Sequence, residues 1–248
     1  MTQTEHWKER AKDPCFPHLR EDRKRFLKGI HKSAHLDRMS FLVEAVRGKR
    51  VLDIGCVEND ADHHTREEWL HNHIVKASAE CLGLDILESE VDSLKTKGYN
   101  VRYHDITQSP VEGTFDVAVC GEIVEHIGNI DGLLSNCRKS LVPGGQLIMS
   151  TPYPWFIGVT ARHTLAGIYF PGSLEHVAWY DPSNIAELAN RHGYLFEMFA
   201  GVNPLPLPGS LKRRAFEWFA KQIRYNRVPV LDPLTGCRSL LYVLKSKG

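Results

Sequence analysis

The sequence predicts an α/β fold: a seven-stranded, mostly parallel sheet with helices on both faces, an N-terminal helical cap and a late helical insertion. Three observations carry that expectation. Short β-branched runs alternate with segments of helical periodicity, which is the pattern of βαβ units. Several of those runs end in glycine or aspartate, where a strand of a parallel sheet opens into a loop. The length, 248 residues with 42% hydrophobic and 25% charged, accommodates one large core.

Residues 1–47 are polar and charged, with helical spacing from about Leu19 to Val46. Phe26, Leu27 and Ile30, then Met39, Phe41, Leu42, Val43 and Val46, fit one face of a helix pair. The run "KRVLDIGC" (49–56) is the first strand, "AECLGLDI" (79–86) the second and "YNVRYHDI" (99–106) the third. "TFDVAVCGEI" (114–123) and "GGQLIMSTP" (144–152) are the fourth and fifth. "ESEVDSLKTKG" (88–98) and "NIDGLLSNCRKSLVPGG" (129–145) read as the intervening helices. "DPSNIAELANRHG" (181–193) has a capping residue at its start and a glycine stop, so it is a further helix. "YLFEMFA" (194–200) and "RSLLYVLKS" (238–246) supply the sixth and seventh strands, separated by a Pro-rich loop and an amphipathic helix. The expected organisation is a single domain, 1–248, divided into a cap (1–47), a core (48–152) and a C-terminal part (153–248).

Composition narrows the function classes. Lys and Arg number 31 against 30 Asp and Glu, a formal net charge of +1, and a dedicated binder of extended nucleic acid carries a basic excess. The six cysteines form no CxxC pair, so neither a disulfide framework nor a zinc ribbon is implied. No apolar signal core opens the chain and no run approaches transmembrane length, which predicts a cytoplasmic protein.

The candidate chemistry lies at the strand ends. Gly55 closes the first strand, Asp85 the second and Asp105 the third, and all three would line one crevice. From Gly55 the chain reads "GCVEND", without the further glycines of the dinucleotide fingerprint, which disfavours a nicotinamide dehydrogenase. The stretch "GEIVEHIGN" (121–129) sets Glu122, Glu125 and His126 at i, i+3 and i+4, so on a helix they would converge. Two carboxylates and an imidazole suit Mg²⁺ or Mn²⁺. The competing reading makes Glu122 a strand-end cap and the other two a solvated pair. His63, His64, His71 and His73 do not share one helix face and read as surface histidines.

"VLDIGC", "LGLDI", "HDI", "FDVAVCGEIVEHI" and "LVPGGQLIMSTP" resemble, in order, the motifs of class I S-adenosylmethionine-dependent methyltransferases. The resemblance is strong over about 49–152 and implies a Rossmann-like fold and S-adenosyl-L-methionine as cofactor. It implies that Gly55 and Cys56 lie against the methionine part, Asp85 holds the ribose, and Asp105 with Ile106 holds the adenine. Asp53, Ile86 and Gly121 complete the implied cofactor set. The sequence departs from the family at Val57, where a second glycine often stands. E-x-x-E-H followed by His176 in "SLEHVAWYDP" resembles the metal-dependent O-methyltransferases, which include small-RNA 3′-end ribose methyltransferases and ubiquinone-pathway enzymes. The implied metal ligands are Glu122, Glu125, His126 and His176. The candidate bases are His126, His176 and, in "TARHTLAG", His163.

The acceptor region is expected to be aromatic, from "YPWFIG" (153–158), "IYF" (168–170) and "WY" (179–180). A vicinal diol suits a metal-bridged acceptor, so a hydroxyl of a sugar, glycoside or other small polyol is favoured. Two alternatives stay open: a metal-free small-molecule or quinone-precursor methyltransferase, and a non-catalytic cofactor-binding partner subunit. The late amphipathic helix, "SLKRRAFEWFAKQIRYNR" (210–227), suits the exposed helix that a membrane-bound quinone precursor would want, or else a homodimer contact or a lid.

Overall fold

The computed structural model describes residues 17–33, 35–58, 62, 65–167, 173–202, 211–228 and 231–247. The N-terminal pair is α1 (Pro17–Ile30) and α2 (Arg38–Val46). The first half of the sheet follows as β1 (Arg50–Ile54), α3 (Leu70–Ala77), β2 (Glu80–Asp85), α4 (Glu88–Thr96) and β3 (Val101–Tyr103). The second half comprises β4 (Phe115–Gly121), α5 (Ile130–Ser140), β5 (Leu141–Pro152), α6 (Ile157–Ala166), α7 (Pro182–Arg191), β6 (Tyr194–Val202), α8 (Leu211–Arg224) and β7 (Ser239–Ser246).

The strand order is β3-β2-β1-β4-β5-β7-β6. β1 to β5 are parallel, while β7 runs antiparallel to both β5 and β6. Successive side chains of a strand point to opposite faces, and the burial follows that period. Leu52, Ala118, Cys120 and Leu147 pack into one apolar cluster, while Val51, Val117, Val119 and Ile148 pack into another. The strand order reverses between β1 and β4, and an open α/β sheet leaves its crevice there, beyond the carboxyl ends of the strands.

Three differences from the sequence reading have local causes. The third strand shrinks to Val101–Tyr103: the N–H of His104, donated to Asp85 O, is its last bond to β2, and the chain then turns, with Gln108 N–H donating to Asp105 O. The fifth helix stops at Ser140, and the "LVPGG" stretch already belongs to β5, whose register against β4 slips between Phe115 and Val117. Gly144 makes that excursion with φ +79°, a conformation that favours glycine. Two helices, α3 and α6, occupy stretches whose mixed residues gave no clean period.

Residues 31–33, 35 and 36 run beside β6. Lys32 N–H donates to Phe199 O and Leu36 N–H to Gly201 O, while Gly201 N–H donates to Ser33 O. An edge strand left open is a template for wrong pairing, and this segment covers it. The helical cap is thereby tied to the sheet next to the crevice.

Candidate functional site

Two adjoining clefts lie at the carboxyl edge of the sheet. One, of about 220 Å³, is lined by residues that include Leu84, His104, Asp105, Ile106, Thr107 and Asn129. The other, of about 530 Å³, includes Arg38, Glu58, Arg66, Gly121, Glu122 and Glu175. Both are lined by Gly55, Asp85, Ile86, Ile123 and His126, so the two form one crevice.

Gly55 turns at φ +79°, and a Cβ there would press on the Ile123 side chain at 3.1 Å. The absent side chain leaves backbone facing the cleft. Asp85 is held rigidly: one oxygen accepts from Val57 N–H at 3.0 Å, the other from Ile86 and Leu87 N–H at 2.8 and 3.1 Å. Those bonds tie the loop after β1 to the end of β2 and leave the carboxylate facing the crevice. Ile86, beside it, is 63% exposed, an apolar surface at the cleft mouth. At Asp105 partial burial works upward, but hydrogen bonds from Thr107 outweigh it and hold the carboxyl below its ordinary range. Ile106 is buried in the core and still lines the cleft.

Two members of the expected cofactor set face elsewhere. Asp53 accepts from, or shares a proton with, His71 Nδ1 at 2.8 Å in a fully buried pair, and lines neither cleft. His71, expected at the surface, is 1% exposed because α3 packs its ring against Trp69 and Tyr99. Cys56 turns its thiol into the core beneath the loop, where burial and then Asp53 push it far above the ordinary thiol range. Gly83 makes room for both, since a Cβ there would meet Cys56 Sγ and His71 Cε1 at 2.8 Å. His63 and His64 lie outside the described residues, as does "IYF" (168–170).

The expected convergence of Glu122, Glu125 and His126 on a helix face is corrected. Glu122 has φ +59°, outside any helix, and only Val124–His126 form a single 3₁₀ turn. Glu125 points inward, 2% exposed, and His126 remains half-buried in the cleft. The segment after α6 is laid over them by backbone bonds, with Val177 and Ala178 N–H donating to Glu125 O at 2.9 and 3.3 Å. His176 is thereby brought beside His126, ring centroids 4.8 Å apart. Glu125, His126 and His176 offer ligand atoms all within 4.8 Å of one another. Glu122 stands outside that group, its Oε2 accepting from the Ser239 hydroxyl at 3.4 Å.

Glu122 Oε1, Glu125 Oε2 and His176 Nδ1 are buried without hydrogen-bond partners among the described residues. Burial, and after it the Glu122 carboxylate, push Glu125 up to about 7. His176 is held below the ordinary imidazole range by burial and by His126.

Arg38 was not singled out in the sequence. It begins α2 behind the Asp37 cap, which accepts from Ser40 N–H at 2.7 Å, and its guanidinium fills the space above Gly121. Its Nε is buried without a partner among the described residues. Only the docking of the cap on the sheet brings it there, so no local motif could have flagged it. His163 lies apart, in a separate pocket of about 300 Å³ with Trp155, Val159, Trp179 and Asp181.

A seven-stranded sheet of this order, with a glycine turn after β1 and carboxylates ending β2 and following β3, defines a class I S-adenosylmethionine-dependent methyltransferase. The chain belongs to the methyltransferase-domain family, which matches residues 19–196. A curated relative, the ubiquinone biosynthesis O-methyltransferase of Dechloromonas aromatica (strain RCB), is 26% identical over 196 residues, 73% of this chain and 81% of that protein. Among solved structures, a SAM-dependent methyltransferase from Archaeoglobus fulgidus superposes with TM-score 0.57 at 18% identity, covering 84% of this chain and 91% of that one. The N-methyltransferase NodS from Bradyrhizobium japonicum WM9, solved with S-adenosyl-L-homocysteine, gives TM-score 0.51 at 14% identity over 85% and 86% of the two chains.

Proposed function

We propose that this single domain transfers the methyl group of S-adenosyl-L-methionine to a hydroxyl that stands beside a second oxygen, an aromatic diol of the quinone-precursor type, with help from a divalent ion. One observation carries the reading. The crevice shared by Gly55, Asp85, Ile86 and His126 runs directly into the group Glu125, His126 and His176.

The residues fit the cofactor. Asp85 faces the crevice with both oxygens oriented by backbone amides, which suits the two ribose hydroxyls. Asp105, Ile106 and the exposed face of Ile86 suit the adenine, and bare backbone at Gly55 suits close approach of the chain that carries the sulfonium. Arg38 suits the carboxylate, since its buried Nε lacks a partner and a guanidinium pairs well with a carboxylate. Asp53 and Cys56 act from beneath, by holding the loop.

The donor set also fits a metal. One buried carboxylate and two imidazoles, with Glu125 Oε2 and His176 Nδ1 lacking partners among the described residues, suit a divalent ion such as Mn²⁺ or Mg²⁺, with Glu122 the further carboxylate at hand. Such an ion supplies acidity to a hydroxyl and a fixed orientation. The chain's own part is alignment and proton uptake. The acceptor oxygen bonds the methyl carbon as the carbon–sulfur bond breaks, and the hydroxyl proton passes to whichever of His126 and His176 the ion would leave free. Holding the two reactants in line is itself a large part of the acceleration.

A quinone-precursor phenol draws support from the relative's name, and a catechol chelates as a polyol does. A sugar or glycoside hydroxyl remains the second reading, because Trp155, Trp179, Asp181 and Asn184 line one pocket and Trp179 packs its ring edge-on to His176. Calorimetry with S-adenosylhomocysteine and Mn²⁺, on wild type and on Glu125→Ala/His176→Ala, tests the assignment. Cofactor binding is expected in both and metal binding in wild type alone. Metal binding unchanged in the variant, or absent from wild type, would sink the metal role. Mass spectrometry of catechols and glycosides incubated with the methyl donor then identifies the acceptor.

A further inference from the structure

Helix α8 buries one apolar face and leaves a mixed basic and aromatic face largely exposed. Phe216, Ala220 and Ile223 turn inward, where Phe216 and Ala220 pack with Phe156 and Val159 of the α6 region. On the opposite face Trp218 is 64% exposed, and Tyr225, one residue past the helix end, is 45% exposed with one side of its ring stacked on His35 at 4.8 Å. Arg214, Trp218, Lys221 and Tyr225 recur at i, i+4, i+7 and i+11, so they form one stripe, with Phe219, 40% exposed, on its flank. Large aromatic side chains left in water within a basic stripe ask for an occupant.

The charges say which. The helix sequence carries five basic residues, Lys212, Arg213, Arg214, Lys221 and Arg224, against one acid, Glu217. That acid is already paired with Arg238 at 2.9 Å. Among the described residues neither Arg214 nor Lys221 makes an ion pair. Arg227 lies over the Tyr225 ring at 5.8 Å, adding a further cation to the same end.

We propose that α8 seats this protein on the surface of an anionic lipid bilayer, with Trp218 and Phe219 entering the headgroup boundary and Arg214 and Lys221 meeting lipid phosphates. Amphipathic helices with a basic polar face and aromatic anchors lie in that plane. A second copy of the chain fits poorly, because a two-fold interface sets like patches together and would oppose Arg214 and Lys221 to their own equivalents. Extended nucleic acid fits poorly with a chain of net charge +1.

Sedimentation of the full chain with vesicles tests this, using phosphatidylcholine alone and phosphatidylcholine mixed with phosphatidylglycerol. The expected result is binding to the anionic vesicles only, reversed by high salt. Arg214→Glu/Lys221→Glu, which removes the attraction to lipid phosphates, and, separately, Trp218→Ser/Phe219→Ser, which removes the apolar anchors, should each weaken it by about tenfold or more. Retained binding of S-adenosylhomocysteine certifies that each variant is folded, and does so whatever the acceptor proves to be. No partition onto anionic vesicles, equal binding of the charge-reversed variant, or a wild-type dimer in solution that the same substitutions dissociate would each overturn the proposal.

Discussion

Glu125 concentrates the site's chemistry in one side chain. Its carboxyl titrates at about 7 in the folded chain against an ordinary 4.5, because burial and then Glu122 disfavour its charge. The folded state therefore keeps a proton that the unfolded state releases between those values. Stability of the metal-free protein falls as pH rises through that window, by up to ~3 kcal/mol in total. Thermal melts from pH 4.5 to 7.5 should record that loss in wild type and a smaller one in Glu125→Gln. Added Mn²⁺ should reverse it at the upper end, since a metal competes with the proton for the same oxygen. Asp85 makes the opposite use of a carboxylate: backbone amides hold it ready. Asp85→Asn keeps the shape but removes the charge, and should weaken S-adenosylhomocysteine about tenfold or more by calorimetry, as expected for a lost charge-assisted hydrogen bond.

At the scale of elements, the loop after β1 is held from two sides. Asp85 grips it through Val57, and Cys56 and His71 occupy the space that Gly83 leaves. Gly83→Ala would drive a methyl group into atoms at 2.8 to 2.9 Å. Overpacking of that kind costs about 1–3 kcal/mol, to be read as a lower midpoint in urea. Helix α7 shows the reverse economy. Asp181 accepts from Ser183 and Asn184 N–H while Asn184 accepts from Asp181 N–H, a reciprocal cap. Asp181→Ala should cost about 1 kcal/mol in the same melt. The caps and glycine stops were legible in the sequence, as were the strand ends that carry Asp85 and Asp105. The turn at Glu122 was not: E-x-x-E-H has helical spacing, and only the left-handed backbone at Glu122 breaks it.

At the scale of the whole molecule, the alternation of strands and helices was enough to give the sheet and the edge that holds the site. It could not give what the docking of distant segments creates. Arg38 reaches the crevice because Lys32, Ser33 and Leu36 tie the cap to β6, and His176 reaches His126 because Val177 and Ala178 bond to Glu125 O. The family resemblance placed Asp53 in the cofactor set, yet its partner is His71, eighteen residues on, in a helix the pattern did not reveal. Cofactor binding should stabilise this assembly as a unit. S-adenosylhomocysteine at about 100 times its Kd should add ~2.7 kcal/mol, a rise in Tm of about 5–10 °C by scanning fluorimetry.

The position of β7 has a consequence for synthesis. It follows β6 in the chain yet lies between β5 and β6, bonded to both along Pro152↔Ser239 and Val202↔Ser239 onward. While the polypeptide is being made, β5 must wait with one flank open and β6 has no neighbour in the sheet. That half of the protein closes only when residues 239–246 emerge. A ribosome that stalls or terminates a few codons before them would release a chain whose first five strands can pair but whose exposed β5 edge invites pairing between molecules.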